Sequence, residues 1–362
     1  MDRHSARSGV GSADARPRSG GVRLGDPTRS ATRSLTYIPP RETARRGPGM
    51  NGHLLVVDRL SVGFRTGAPT TPALDDVSFS MARGEILAVV GESGAGKTSL
   101  GLALMRLLPA AAWWQGRALW DGRDLLQMEE RELRQVRGGK IGMVFQDPRS
   151  SLHPFLSIGA QMTEVTRRHL GCRKREALEH AVRMLVKVGI PEARQRLSAY
   201  PREFSGGMRQ RILLAMALSA NPTLLIADEV TSAVDGETQA LILDLLGEWH
   251  AETGGAILLI THDLALAAHL ASRGMVLCGG RVMETAPMDE LLHAPACAYT
   301  RVLGSLTAGA FEPRRAQRRT RGPVLTGCAF AGQCPQAEAR CFHQMPPLRL
   351  VGDSHWVRCW VK

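Results

Sequence analysis

Nowhere in this chain of 362 residues does an apolar run reach the roughly 18 residues needed to span a bilayer. The chain is therefore expected to be soluble by itself, with any membrane attachment made through a partner. No internal repeat is visible, so each motif below belongs to one copy of its unit and not to two. The central part also lacks a charge excess: residues 51–304 carry 27 basic and 27 acidic side chains. The net charge of +12 sits in the ends, with ten Arg against four acids in 1–50 and nine Arg or Lys against three acids in 305–362. Solvated tails explain that distribution better than a nucleic-acid surface does. The seven cysteines contain no C-x-x-C pair, so zinc-ribbon spacing is excluded.

Against these absences stands one dense motif. Gly91-Glu92-Ser93-Gly94-Ala95-Gly96-Lys97-Thr98 matches the phosphate-binding loop G-x-x-x-x-G-K-[ST] at every position. Glycine lacks a Cβ, so the backbone can curl and aim several N–H groups at a phosphate. Lys97 supplies a point charge for the outer phosphates, and Thr98 offers a hydroxyl to Mg²⁺. The apolar run Glu85–Val90 before the loop reads as a buried strand. Ser99–Leu108 after it reads as a helix whose N-terminus faces the phosphate.

The rest of the chain supports an α/β core. Hydrophobic residues make up 44%, enough for a full core, and the length suits about two domains. Residues 1–50 are rich in Arg, Ser, Gly and Pro and read as a disordered basic tail. A transit peptide has the same Arg-rich, acid-poor character, and translation starting at Met50 is the simpler alternative. Strands are expected at 54–57, 60–64, 77–81, 118–122 and 141–145, with a turn at 67–72. Phe64 is placed either to stack on an adenine ring or to serve as an ordinary strand aromatic. Residues 160–188 have helical spacing, with Met162, Val165, Leu178, Val182, Leu185 and Val188 as apolar positions. Leu224–Ala227 and Ala256–Ile260 are continuous apolar runs with a helical pattern between them at 237–250. Such runs suit parallel strands covered on both faces.

Two further stretches carry chemistry. Asp228 and Glu229 follow the apolar run 224–227. A carboxylate at a strand end beside a phosphate loop can hold Mg²⁺, and its neighbour can polarise a water for attack on a γ-phosphate. Ser205-Gly206-Gly207-Met208-Arg209-Gln210 opens a helix, and its exposed N–H groups form either a second anion site or a helix cap.

In order, the phosphate loop, Gln146, Ser205–Gly207, Asp228-Glu229, Ser232–Asp235 and Thr261-His262-Asp263 make residues 53–304 resemble the ATPase subunit of an ABC transporter. The resemblance implies a P-loop ABC-type nucleotide-binding domain with a helical subdomain over 51–304. It implies that Gly91–Thr98 and Ser99 bind ATP and that Thr98, Gln146 and Asp228 serve Mg²⁺. Glu229 would be the general base and His262 the γ-phosphate switch. Ser205, Gly206, Gly207, Met208, Arg209 and Gln210 would close on ATP held by a facing second cassette, with Asp235 linking the two sites. Two permease subunits would take up the energy through residues around 147–162, and an extracytoplasmic substrate-binding protein would act through them. The location implied is the cytoplasmic face of the cell membrane, with no nucleic-acid partner.

Phe145–Pro154, Phe204–Arg211 and Tyr299-Thr300 look, more narrowly, like oligopeptide and dipeptide importers, a group that includes nickel importers. So does the tail with Cys328, Cys334, Cys341 and Pro346-Pro347. His153, Val230, Val234 and Cys297-Ala298 depart from the usual Asn, Pro, Leu and His-Pro, but no catalytic group is lost. A ribosome-acting ABC ATPase usually has two cassettes in one chain. A DNA-repair relative needs a long insertion before Ser205, where only about a hundred residues follow the loop. After a basic linker at 305–326, the Cys-rich extension 327–362 carries Cys328, Cys334, Cys341 and Cys359. A cytoplasmic ATPase argues against disulfides. Four thiolates could hold zinc or an iron–sulfur cluster, or remain reduced structural cysteines. The resemblance to peptide importers implies a cysteine-bound [4Fe–4S] cluster in some relatives. Cys172, Cys278 and Cys297 read as small buried or neutral residues.

Overall fold

The computed structural model describes residues 52–65, 72–232, 234–307 and 326–360. The tail expected over 1–50, most of the 67–72 turn, Ala233 and most of the 305–326 linker lie outside them.

β1 (His53–Phe64) and β2 (Leu74–Ala82) pair antiparallel. The apolar groups at 54–57 and 60–64 belong to one strand. It is kinked where Arg59 takes φ +50° and the register slips. β3 (Ile86–Val90) runs into the phosphate loop, and α1 (Lys97–Leu104) leaves it. α1 stops short of Leu108, because the chain turns at Arg106, which has φ +48°. β4 (Ala112–Trp120) returns to the far side of β1, with β5 (Arg123–Asp124) at its edge.

α2 (Glu130–Val136) and β6 (Ile141–Val144) follow. A helical stretch then comprises α3 (Pro148–Ser151), α4 (Ile158–Leu170), α5 (Lys174–Lys187) and α6 (Ala193–Arg196). The periodic run 160–188 is thus two helices: Gly171 adopts φ +66° and its N–H donates to Arg167 O, ending α4. The side chains buried on α4 and α5 include Met162, Thr166, Ala177, Ala181 and Leu185. Val165, Leu178 and Val182 are only half-buried.

α7 (Gly206–Leu218), β7 (Leu224–Asp228), α8 (Gly236–Thr253), β8 (Ala256–Thr261) and α9 (Leu264–Ala267) continue the alternation. They are followed by the hairpin β9 (Arg273–Cys278) and β10 (Arg281–Pro287), then α10 (Met288–His293) and α11 (Ala298–Thr307).

β6, β7, β8, β3 and β9 lie parallel in one sheet. Alternate residues of its central strands face opposite layers. Leu87, Val89, Ile226 and Leu258 pack toward the antiparallel sheet and α1, while Ala88, Val90, Ala227 and Leu259 pack with residues of α7 and α8. The strands read as unbroken apolar runs because both faces are covered.

The extension does not stand apart. α12 (Ala339–His343) is followed by β11 (Arg349–Leu350) and β12 (Trp356–Val357). β12 pairs antiparallel with β10, Glu284 opposite Val357, so the extension continues the main sheet at its edge. His355 locks it there. Its Nε2 lies 2.5 Å from Glu284 Oε1 and its Nδ1 lies 2.7 Å from Glu290 Oε2. Glu284 is fully buried and also accepts from the N–H groups of Ala296 and Cys297.

Candidate active site

The phosphate loop spans the gap between β3 and α1 under tight steric control. A Cβ on Gly91 would sit 2.3 Å from Leu277 O, and one on Gly96, which has φ +102°, would sit 2.2 Å from Ala73 O. Only glycine allows the loop to lie this close to the neighbouring backbone. The β9–β10 turn also grips the loop, since Gly280 N–H donates to Ala95 O at 3.0 Å.

Lys97 is buried and donates to Gly91 O at 2.8 Å and Glu92 O at 3.1 Å. Its ammonium also lies 3.3 Å from Glu229 Oε1. Thr98 Oγ1 donates to Asp228 Oδ1 at 3.3 Å. Ser99 is half-buried in the first turn of α1.

Asp228 and Glu229 sit side by side at the end of β7 but in different electrostatic settings. Burial pushes the Asp228 carboxyl up to about 6, against the Thr98 hydrogen bond and the Lys97 charge that lower it. Burial also pushes Glu229 up. There the Ser232 hydrogen bond and the Lys97 ammonium together outweigh it, and the carboxyl falls below its ordinary value. Glu229 Oε2 accepts from Gln146 Nε2 at 3.0 Å and Ser232 Oγ at 2.9 Å, with His262 Nδ1 at 3.6 Å. Glu229 itself adopts φ +47°, and its N–H donates to Ile260 O on β8. A non-glycine residue at such a φ is uncommon. Here the β8 hydrogen bond and the side-chain contacts hold it.

Lys97, Thr98, Gln146, Asp228, Glu229 and His262 are therefore brought together from four separate stretches of chain. Ser205–Gln210 do not join them. Ser205 caps α7 by accepting from Met208 N–H at 3.2 Å, and Ser205 and Gly206 are exposed. Arg209 is half-buried and Gln210 buried. Asp235 caps α8 by accepting from Thr238 N–H at 2.9 Å, a bond that heads the causes lowering its carboxyl pKa. Gly207 packs on that helix, since a Cβ there would meet Thr238 Cγ2 at 3.0 Å. Phe64 ends β1, half-buried and paired across to Ala112.

The cysteines of the extension gather in one place. Cys297, Cys328, Cys334, Cys341 and Cys359 line one small cavity of about 20 Å³ together with Phe330. Yet among the described residues no group of three or more His, Cys, Asp or Glu is arranged to hold a metal ion. The expected cluster ligands Cys328, Cys334, Cys341 and Cys359 all border that one cavity. Cys297 enters the same space and hydrogen-bonds to Cys359. Burial pushes the Cys328 thiol up to about 11. Sequence spacing gave no sign of Cys297, which is carried in by α11. The β9–β10 turn was missed as well, though Gly279-Gly280 is a hairpin signal.

Residues 74–232 match the family model described as ABC transporter. The chain is 41% identical over 318 residues to the oligopeptide transport ATP-binding protein OppD of Bacillus subtilis, covering 85% of this chain and 88% of that protein. It is 41% identical over 327 residues to the protein of the same description from Salmonella typhimurium, with 88% and 97% covered. The dipeptide transport ATP-binding protein DppD of Bacillus subtilis is 39% identical over 317 residues, with 85% and 95% covered. Among solved structures, an ATP-binding cassette captured as a dimer in a post-hydrolysis state with ADP and Pi superposes with TM-score 0.59 at 25% identity. That match covers 65% of this chain and 98% of the cassette.

Proposed function

This chain belongs to the peptide-importer family of ABC transporter ATP-binding subunits, and from that premise we propose that it hydrolyses ATP to drive peptide uptake through two membrane permeases. The observation that carries the reading is the shared cluster at Glu229. One carboxylate touches the phosphate-loop lysine, the Gln146 amide and Ser232, with His262 alongside.

The residues suggest how such a site would work. The γ-phosphate of ATP competes with Gly91 O, Glu92 O and Glu229 for the Lys97 ammonium. Once Lys97 turns to phosphate, Glu229 loses the charge that depressed its carboxyl and becomes a better base. It can then accept a proton from water as that water attacks the γ-phosphorus and the bond to the β-phosphate oxygen breaks. Thr98, Gln146 and Asp228 would hold Mg²⁺, which would supply charge neutralisation on the phosphates. His262, 55% exposed, is free to reach the γ-phosphate. Exposure of Ser205 and Gly206 away from the phosphate loop suits closure of that helix start on ATP in a second, facing cassette. Asp235, on the helix packed against Gly207, would link the two sites.

The iron–sulfur reading of the C-terminal thiols is not part of this proposal, and no hydrolytic step runs through them. Peptide is preferred to nickel as cargo, since the relatives named above are described as oligopeptide and dipeptide transport proteins.

The test is peptide uptake and ATPase rate in the assembled transporter. Glu229→Gln should keep ATP binding and lose about 10²- to 10⁴-fold in turnover, as loss of a general base does, with uptake lost in parallel. Wild-type hydrolysis by that variant would sink the base assignment. Unchanged peptide uptake without this chain would sink the cargo.

A further inference from the structure

We propose that Tyr299 is a positioning residue for the phosphate loop and that it makes the loop responsive to the packing of the Cys-rich extension. The inference rests on Gly91–Thr98 being the ATP site.

Tyr299 lies on α11, more than two hundred positions from the loop in sequence, and it is 1% exposed. Its hydroxyl accepts a hydrogen bond from Glu92 N–H at 3.0 Å. The same hydroxyl hydrogen-bonds to the thiol of Cys278 at the end of β9, the strand beside β3. Burial raises both groups, Cys278 to about 12, so each keeps its proton. The phenol can therefore accept from the loop and donate to the thiol at once.

The other side of the ring faces the extension. Tyr299 and Phe330 meet edge to face, with centroids 5.0 Å apart and an interplanar angle of 61°. Phe330 is itself buried, between Cys328 and Cys334, and lines the thiol cavity. A second contact runs parallel to this one. The β9–β10 turn holds Ala95 O through Gly280 N–H, and its other glycine abuts the extension, since a Cβ on Gly279 would lie 2.5 Å from Ala329 Cβ. The extension thus backs the loop at two points, and one of them is a single rigid aromatic with a hydroxyl on the loop backbone.

Glu92 N–H is not needed as a phosphate donor if Tyr299 holds it. The bond fixes the start of the loop so that the later N–H groups keep their aim. Pre-fixed donors bind phosphate without a fresh ordering cost. If the extension shifts, Phe330 moves and the tyrosine loses its backing.

The experiment uses the full chain, with ATP titrated in equilibrium binding and thermal melting followed alongside. Tyr299→Phe keeps the ring and removes only the hydroxyl. It should weaken ATP binding about three- to tenfold, the range a single hydrogen bond supplies, while kcat at saturating ATP in the assembled transporter stays near wild type. Phe330→Leu should weaken ATP binding in the same direction. Combining it with Tyr299→Phe should add little further loss, because both act through one path. Wild-type affinity in Tyr299→Phe would overturn the positioning role. Full additivity of the two changes would overturn the coupling. If Tyr299→Phe does not fold, Phe330→Leu decides the coupling alone, and wild-type affinity there sinks it. Failure of the unaltered chain to bind ATP would instead sink the ATPase reading and the inference with it.

Discussion

At the end of β7 each reactive side chain has a charged or polar side-chain partner, whereas the thiols of the extension gather around an apolar cavity, where Cys328 and Cys334 meet backbone groups. Glu229 is held by an ammonium, an amide and a hydroxyl. The five cysteines meet across an apolar cavity, and Cys297 hydrogen-bonds to Cys359. The difference teaches what each region is built to withstand. A polar network in a buried site is specific to the position of every member. A set of cysteines around an apolar cavity packs as small apolar groups and tolerates exchange among them. What fastens the extension is a hydrogen-bonded lock elsewhere, His355 between Glu284 and Glu290.

Breaking that lock should have the largest effect on stability. His355→Leu leaves the fully buried Glu284 with backbone donors only. Removing a hydrogen-bond partner from a buried polar group costs about 1–3 kcal/mol, and more where that group is charged. The melting temperature should fall, and residues 327–360 should become open to limited proteolysis. ATP binding should weaken only as far as the Tyr299 link carries it. If His355→Leu removed ATP binding outright, the two regions would be one unit and the contrast would fail.

On the nucleotide side, Lys97→Ala removes a donor to charged phosphates. It should weaken ATP binding by about 2–3 kcal/mol, the scale of a hydrogen bond to a charged group. The thiol region should be untouched, as proteolysis of the extension would report. An extension loosened to the same degree would erase the distinction.

The smallest expected effect sharpens the comparison through pH. Asp228 titrates at about 6 in the fold, against 3.8 as its ordinary value. A raised carboxyl is a destabilising element: its cost is absent below pH 3.8, builds as pH rises, and is complete above about 6. The shift corresponds to about 2–3 kcal/mol at 1.36 kcal/mol per unit. Asp228→Asn should therefore raise the melting temperature of the nucleotide-free chain at pH 8. The gain should shrink below pH 6 and vanish below about pH 4. A gain independent of pH would show that burial of this carboxylate carries no such cost, and that this end of the site is no more strained than the thiol cavity.

Much of the fold could be read along the chain because its signals are local. The apolar runs at 86–90, 224–227 and 256–260 stand out because strands covered on both faces must be apolar throughout. The glycines of the phosphate loop stand out because close backbone approach admits no Cβ. Element ends were harder to place. α1 stops early at a positive-φ residue, and the 160–188 run breaks at Gly171, where a glycine cap overrides a continuing apolar period. β10 was not legible because its apolar residues pack at a sheet edge that the extension completes.

By itself, the order of short motifs determined the family, the phosphate loop and the acids at the strand end, since each is a contiguous stretch whose chemistry needs its neighbours. Only the tertiary structure decided which distant groups meet. It put Gln146, Ser232 and Lys97 on one carboxylate, brought Cys297 among the thiols of the extension, and set Tyr299 against the backbone of Glu92. Contacts of that kind depend on how sheets and helices stack, and a burial pattern along one strand carries no record of which side chain arrives from the other side.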